Sequence, residues 1–238
     1  MKRYSFSPAE IDAHKHDAGG WMRFVRRREV EMLFAHLGVG RFRRGLELGA
    51  GNGEQSLVIK NYCDKLVSTD ADPASHQWLG QSLLSRKEEN VVYEVCDAED
   101  LSRYPDASFD LVYSSNMLEH LRNPAKCLGE CRRVLTEDGM MIHLMPTRYW
   151  KFFRTVLFRR KFHKRDTVHG AFPNHKAEFI AYGRRVWKKK IETHGFVVEE
   201  IVGMPFYVGL LNSYVGIIKL GNRLKWPACY AYISKKRH

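Results

Sequence analysis

Glu47-Leu48-Gly49-Ala50-Gly51-Asn52-Gly53 places three glycines and an acid at the close of an apolar run. Glycines in such a turn let the backbone bend sharply and let a ligand approach main-chain atoms that a Cβ would block. Three further polar groups end later apolar runs: Asp70, 21 residues after Gly49; Asp97, followed by Ala98-Glu99-Asp100; and Ser114-Ser115-Asn116. Spacing then selects among ligands. A G-x-G-x-x-G dinucleotide fingerprint counted from Gly49 would end on Glu54, whose carboxylate would face a pyrophosphate, and no Gly-Lys-Ser/Thr follows to make a P-loop. Glu47 can accept from an ammonium group, Asp70 stands where a carboxylate takes two ribose hydroxyls, and Asp97 can accept from an adenine amino group. A solvated strand end explains any one of these acids. It does not explain four such features in one order along one edge.

The elements that must position them follow from hydrophobic period and breakers. Gly45–Ala50, Lys65–Asp70, Val91–Ala98, Phe109–Ser115 and Gly139–Met145 read as strands, the last preceded by an Asp138-Gly139 turn. Helical patterns separate them: Glu54–Cys63, a stretch from Pro73 to Arg86, and Ala125–Leu135. Strands alternating with helices of this length mean βαβ units and a mostly parallel sheet. A helix over 20–38 precedes them. After Pro146 the spacing predicts a helix over Lys176–His194 ended by Gly195, a strand over Phe196–Met204, a helix over Tyr207–Leu224 and a last strand over Ala228–Ser234. That makes seven strands.

The chain has 238 residues, 44% hydrophobic and 28% charged, which excludes a disordered, collagen-like or polytopic membrane chain. Its net charge of +12 is uneven: residues 151–238 carry 19 Lys and Arg against 5 Asp and Glu, while residues 1–150 carry 20 against 22. The two regions therefore have different electrostatic tasks. Five cysteines, an odd number without a CxxC, read as reduced core thiols of a cytoplasmic protein, and no metal site is expected. The first residues hold no apolar signal core. The uncharged stretch from Ile201 to Ile218 is interrupted by Gly203, Pro205, Gly209 and Gly216, so it reads as a strand plus an amphipathic segment and not as a membrane span.

The segments ELGAGNGE, TDADP, DAEDL and FDLVYSSNMLEHLRNPAKCLGECRRVLTEDGMMIHLMP resemble the class I S-adenosylmethionine-dependent methyltransferases, in particular the branch that includes the ubiquinone and menaquinone biosynthesis enzymes. The resemblance covers residues 44–147. It implies a Rossmann-like α/β fold with a seven-stranded sheet in order 3-2-1-4-5-7-6, strand seven alone antiparallel. By the same resemblance Glu47, Gly49, Ala50 and Gly51 hold the methionine part of the cofactor and Asp70, with Ala71, the ribose. Asp97, Ala98 and Glu99 line the adenine, and Ser114 completes the site. The chain is then a single domain: an N-terminal helical segment (1–43), a cofactor-binding core (44–147), and basic or apolar helical lid insertions at 147–175 and 205–227 over an acceptor pocket.

A hydroxyl acceptor must lose a proton, which a positioned histidine can take. His120, after the fourth strand, is either a general pocket residue or a base, and His169 in the first insertion is the more acceptor-specific candidate. His143 lies within a strand, and His175 is a further histidine of the insertion. Trp150, Phe152, Phe153, Leu157 and Phe158 alternate with Lys151, Arg154, Arg159, Arg160, Lys161, Lys164 and Arg165. Basic residues beside aromatics at helical spacing fit an interfacial helix drawn to anionic lipid at the inner face of a membrane, through residues 150–165. This points to O-methylation of a saccharide or lipid-linked glycan; a quinone precursor or secondary metabolite is the alternative acceptor. The same basic, aromatic texture suits RNA, but no catalytic Asn-Pro-Pro-aromatic motif is present. An inactive cofactor-binding module is the remaining reading, and the intact loop and acids speak against it.

Overall fold

The computed structural model describes residues 1–75, 89–161, 170–208 and 211–237. Its seven strands are β1 (Phe42–Leu48), β2 (Cys63–Asp70), β3 (Val91–Val95), β4 (Phe109–Ser115), β5 (Leu135–Pro146), β6 (Phe196–Gly203) and β7 (Cys229–Lys236). They form one sheet in the order β3-β2-β1-β4-β5-β7-β6. β1 to β5 pair in parallel, and β7 runs antiparallel to both of its neighbours. This is the expected class I methyltransferase sheet.

Both faces of the sheet are covered, as a parallel sheet requires. In β4, Leu111 and Tyr113 join one buried cluster with Leu66, Ile142 and Phe34, while Phe109 and Val112 join another with Leu46, Leu48 and Leu128. The helices are α1 (Pro8–Ala13), α2 (Ala18–Leu37), α3 (Ser56–Ile59), α4 (Pro124–Val134), α5 (Arg148–Lys161), α6 (His175–Ala181), α7 (Arg184–Glu192) and α8 (Leu211–Arg223). Their ends follow from local chemistry. Asp17 caps α2 by accepting from the Gly20 N–H at 2.8 Å, and Gly38 closes it. Asn123 caps α4, with Pro124 in its first turn.

Several expectations change. The helix read over Glu54–Cys63 shrinks to α3 and a 3-10 turn at Lys60–Tyr62. The helix read over Tyr207–Leu224 begins at Leu211, and the third strand stops at Val95 instead of Ala98. The helix read over Lys176–His194 is two helices, α6 and α7, parted at Tyr182-Gly183. The cause is tertiary: Arg148 donates to the carbonyls of Phe179 at 2.9 Å and Ile180 at 3.1 Å, and a Cβ on Gly183 would stand 2.6 Å from its guanidinium. β5 starts at Leu135, earlier than Gly139. The expected turn survives as a register slip, since Leu135 faces Phe109 while Met140 faces Leu111. Residues 73–75 are helical, and the rest of the expected 73–86 helix lies outside the described residues.

The segments flanking the insertions are tied together. Thr147 N–H donates to the Ala228 carbonyl at 2.9 Å, next to the Pro146–Cys229 pair of the β5–β7 ladder. Among the described residues no helix is long and apolar enough to cross a membrane. All five cysteines are buried thiols.

Candidate functional site

The strands β1 and β4 end side by side, Leu48 opposite Ser114, so the glycine loop and Ser115-Asn116 meet at one sheet edge. Gly49, Gly51 and Gly53 all have left-handed backbones. The loop is held from below: Ala50 N–H donates to the Thr69 carbonyl at 2.9 Å, and Gly51 N–H to Oδ2 of Asp70 at 2.8 Å. The other Asp70 oxygen accepts from Asp72 N–H at 2.9 Å. Asp70 thus shapes the loop and, half-buried, keeps lone pairs for a ligand.

A cavity of about 410 Å³ opens over this loop. Gly49, Ala50 and Gly51 line it, with Ser115 and Asn116 from the end of β4. Facing them are Met22 and Arg26 of α2, Trp150 and Arg154 of α5, Tyr207 from the segment before α8, and Cys229 from β7. Strand ends from the core and side chains from both insertions therefore share one space.

Glu47 is 1% exposed and lies beneath the loop instead of lining the cavity. Ser68 Oγ donates to its Oε2 at 2.9 Å, and Ser68 is bonded in turn to Ser56. Burial pushes its carboxyl up to about 7, against the two serines, and Asp70 adds to the rise. No cation among the described residues stands within ion-pair distance of it. Ser114 departs from its expected place: its hydroxyl is buried on His143 Nδ1, and Ser115 and Asn116 reach the cavity instead. Asp97, Ala98 and Glu99 follow β3 and do not line the cavity. Asp97 Oδ1 accepts from Glu99 N–H at 2.8 Å, closing a turn, and Glu99 Oε1 accepts from Asn123 N–H at 2.8 Å, tying the segment to the cap of α4. Ala71 is exposed beside Asp70.

Of the histidines, His120 is half-exposed, has its Nε2 4.0 Å from Glu119, and is not in the cavity wall. His169 lies outside the described residues. His175 sits beside the buried pair of Lys151 and Glu178, which meet at 2.7 Å.

Arg26 is a residue that sequence reasoning missed. Its guanidinium stands 3.5 Å from Glu29 and 5.8 Å from the Tyr207 ring centre, and the Asn116 carbonyl, turned towards it, accepts at 2.6 and 3.1 Å. Burial pushes the Glu29 carboxyl up to about 7 against the pull of Arg26. The available signal was an Arg–Glu pair at i, i+3 among the apolar residues Met22, Val25 and Val30. Burial also pushes the Tyr207 hydroxyl and the Cys229 thiol well up, so both stay protonated.

A family profile described as a methyltransferase domain matches residues 46–143. YcgJ of Bacillus subtilis, an uncharacterized methyltransferase, is 29% identical over 99 residues, covering 42% of this chain and 39% of that protein. A probable S-adenosylmethionine-dependent methyltransferase of Mycolicibacterium smegmatis is 28% identical over 187 residues, covering 79% of this chain and 64% of that protein. The chain thus spans less than two thirds of the length of these curated relatives. In three dimensions it is similar to an S-adenosylmethionine-dependent methyltransferase from Aquifex aeolicus, with a TM-score of 0.61 at 15% identity over 97% of this chain and 98% of that one. This last likeness is one of fold.

Proposed function

We propose that this chain, which carries a class I S-adenosylmethionine-dependent methyltransferase domain, methylates a hydroxyl of a saccharide, free or linked to a lipid. The observation that carries the reading is the shared cavity, which opens the glycine loop of the core onto walls supplied by α2, α5 and the segment before α8. The residues fit the nucleoside sulfonium. Where a Cβ of Gly51 would stand there is no heavy atom within 4 Å, and Glu47 beneath the loop is a buried acid lacking a described cation. When bound, the cofactor supplies an electrophilic methyl group.

The chain's own residues would bind, align and dry. Gly49, Ala50 and Gly51 would hold the methionine part, with Glu47 as the countercharge to its ammonium. Asp70 would accept from the ribose, and Asp97 to Glu99 would border the adenine. Alignment of donor and acceptor is where such a site lowers its barrier, and exclusion of water by Trp150, Tyr207 and Met22 supports it. For the acceptor proton the cavity wall offers few groups. Tyr207 and Cys229 are held protonated, and Glu54 is already bound by Arg27 at 2.8 Å. We assign proton removal to His169 in preference to His120. Supporting this, His169 belongs to the insertion that also supplies Trp150 and Arg154 to the cavity wall, whereas His120 is half-exposed and not in that wall.

The lipid-linked form of the acceptor is supported by the outer face of the insertions. Phe152 on α5, Leu220 on α8 and Leu224 just after it are about half exposed, and Arg148, Arg223 and Lys225 of the same segments are exposed. Tyr149 and Phe153 stack on Trp226, joining α5 to the turn after α8. An apolar face with basic residues suits an anionic bilayer surface. Of the basic cluster expected to make that contact, the side chains of Arg159, Arg160 and Lys161 and all of Lys164 and Arg165 lie outside the description.

Incubating the protein with a methyl-tritiated donor and fractionated cell extract tests the proposal. Alkali-stable label in the glycan or lipid fraction is the expected result. Label in RNA or protein, or only in a small phenol or quinone precursor, would overturn the saccharide assignment.

A further inference from the structure

Among the described residues, the charges lining the cavity cancel in pairs, with one exception. Arg26 faces Glu29, and its guanidinium is further occupied by Asn116, Ser115 and the ring of Tyr207. Glu54 is bound by Arg27 through two nitrogens, each at 2.8 Å. Arg154, on the insertion helix α5, has no such answer. It lines the cavity, and its guanidinium lies over Trp150, 5.1 Å from the ring centre. Its Nη1 is buried and has no hydrogen-bond partner among the described residues. Glu178, the buried acid of the neighbouring helix α6, is already paired with Lys151 at 2.7 Å.

A buried guanidinium nitrogen without an acceptor is costly, because a charged donor loses its water and gains nothing in return. Proteins keep such a group where a ligand completes it, and a planar guanidinium is matched to carboxylate and phosphate oxygens. We propose that Arg154 is the acceptor-anion subsite: it grips a phosphate or carboxylate carried by the methyl acceptor. Trp150 holds the plane of the guanidinium from one side, and Tyr207 contributes an apolar wall with a neutral hydroxyl. This rests on the cavity being the transferase site and adds the class of acceptor it selects, an anionic one. A lipid-linked saccharide phosphate and an acidic sugar both carry that group.

Alkyl probes of one chain length read the subsite directly. Octyl phosphate, octanoate and octanol are titrated calorimetrically into the full chain, with and without S-adenosylhomocysteine, using the parent, Arg154→Gln and Arg154→Lys. The parent should bind at least one of the two anions tenfold or more tightly than octanol. Arg154→Gln should lose that preference by tenfold or more while keeping S-adenosylhomocysteine affinity within twofold, and Arg154→Lys should retain part of it. A preference for octyl phosphate points to a phosphorylated acceptor and one for octanoate to an acidic sugar. Octanol bound as well as both anions, or anions bound equally by Arg154→Gln, would overturn the assignment. Failure of the parent to bind S-adenosylhomocysteine would instead count against the methyltransferase reading, and the titrations without it would still report on Arg154. Should Arg154→Gln not fold, as judged by circular dichroism, the comparison of parent with Arg154→Lys and the octanol control decides.

Discussion

Gly49 and Gly51 lie two residues apart with nearly the same left-handed backbone, φ +70° and +54°, and replacing each by alanine should have unlike consequences. The backbone strain is common to both, roughly 1–2 kcal/mol for an L side chain in that region. The surroundings differ. A Cβ at Gly49 would stand 2.5 Å from Cγ and 3.0 Å from Cβ of Met117, whereas one at Gly51 meets no heavy atom within 4 Å. Gly49→Ala therefore adds an overpacking cost of about 1–3 kcal/mol, for a total of roughly 2–5 kcal/mol. Gly51→Ala carries the strain alone. At about 2–4 °C per kcal/mol for a chain of this size, the Gly49 variant should melt ~4–20 °C below the parent and the Gly51 variant ~2–8 °C below it. Binding should single out the other glycine: Gly51→Ala keeps its fold yet loses S-adenosylhomocysteine affinity by tenfold or more, because the new methyl fills space left for the ligand. Thermal melting and isothermal titration measure the two effects. Parent-like affinity in Gly51→Ala would remove the loop from the binding site. Equal melting losses in both variants would refute the steric argument.

Removing the Asp70 carboxylate with alanine takes away the acceptor for the Gly51 and Asp72 N–H groups and for the ribose. S-adenosylhomocysteine binding should weaken by about 1–3 kcal/mol by calorimetry, and unchanged affinity would exclude Asp70 from the site. Glu47 makes stability depend on pH. Its carboxyl is held at about 7 in the fold against an ordinary 4.5, so between those values the folded chain binds more protons than the unfolded one. This contribution is fully present below pH 4.5 and is lost as pH rises towards 7, an amount of ~3 kcal/mol at about 1.4 kcal/mol per pH unit. Glu47→Gln should melt above the parent at pH 8 and level with it at pH 4.5; a variant less stable at pH 8 would mean that a cation holds Glu47.

The parts of the molecule legible from sequence are those fixed by neighbours along the chain. β4 runs over the expected Phe109–Ser115, because its β-formers are bounded by turn residues on both sides. α4 lies within one residue of its expected ends, because Asn123 and Pro124 signal its start. The glycine loop was legible because its conformation demands the residue type that marks it. What escaped is long-range. The break between α6 and α7 depends on Arg148, more than thirty residues upstream of Gly183. Arg26 enters the cavity only because α2 packs Val30, Leu33 and Phe34 with Leu66, Leu111 and Tyr113 of the sheet, and the sequence shows it as one more base in an Arg-rich helix. Asp97 and Glu99 looked free at a strand end, but a local turn claims one oxygen of Asp97 and the distant Asn123 N–H claims one of Glu99.

Reversal of β7 has a consequence for how such a scaffold diversifies. Because that strand begins where β5 finishes, Thr147 and Ala228 are clasped into a gate, where the chain leaves the sheet and to which it returns after adding β6 as the edge strand beside β7. The donor loop after β1 stands upstream of that gate and shares no hinge with it. The stretches on either side of β6, 147–195 and 204–228, can be swapped, lengthened or recharged with the clasp still shut, so recruitment of new acceptors can proceed by exchange of these parts while the donor seat is inherited intact.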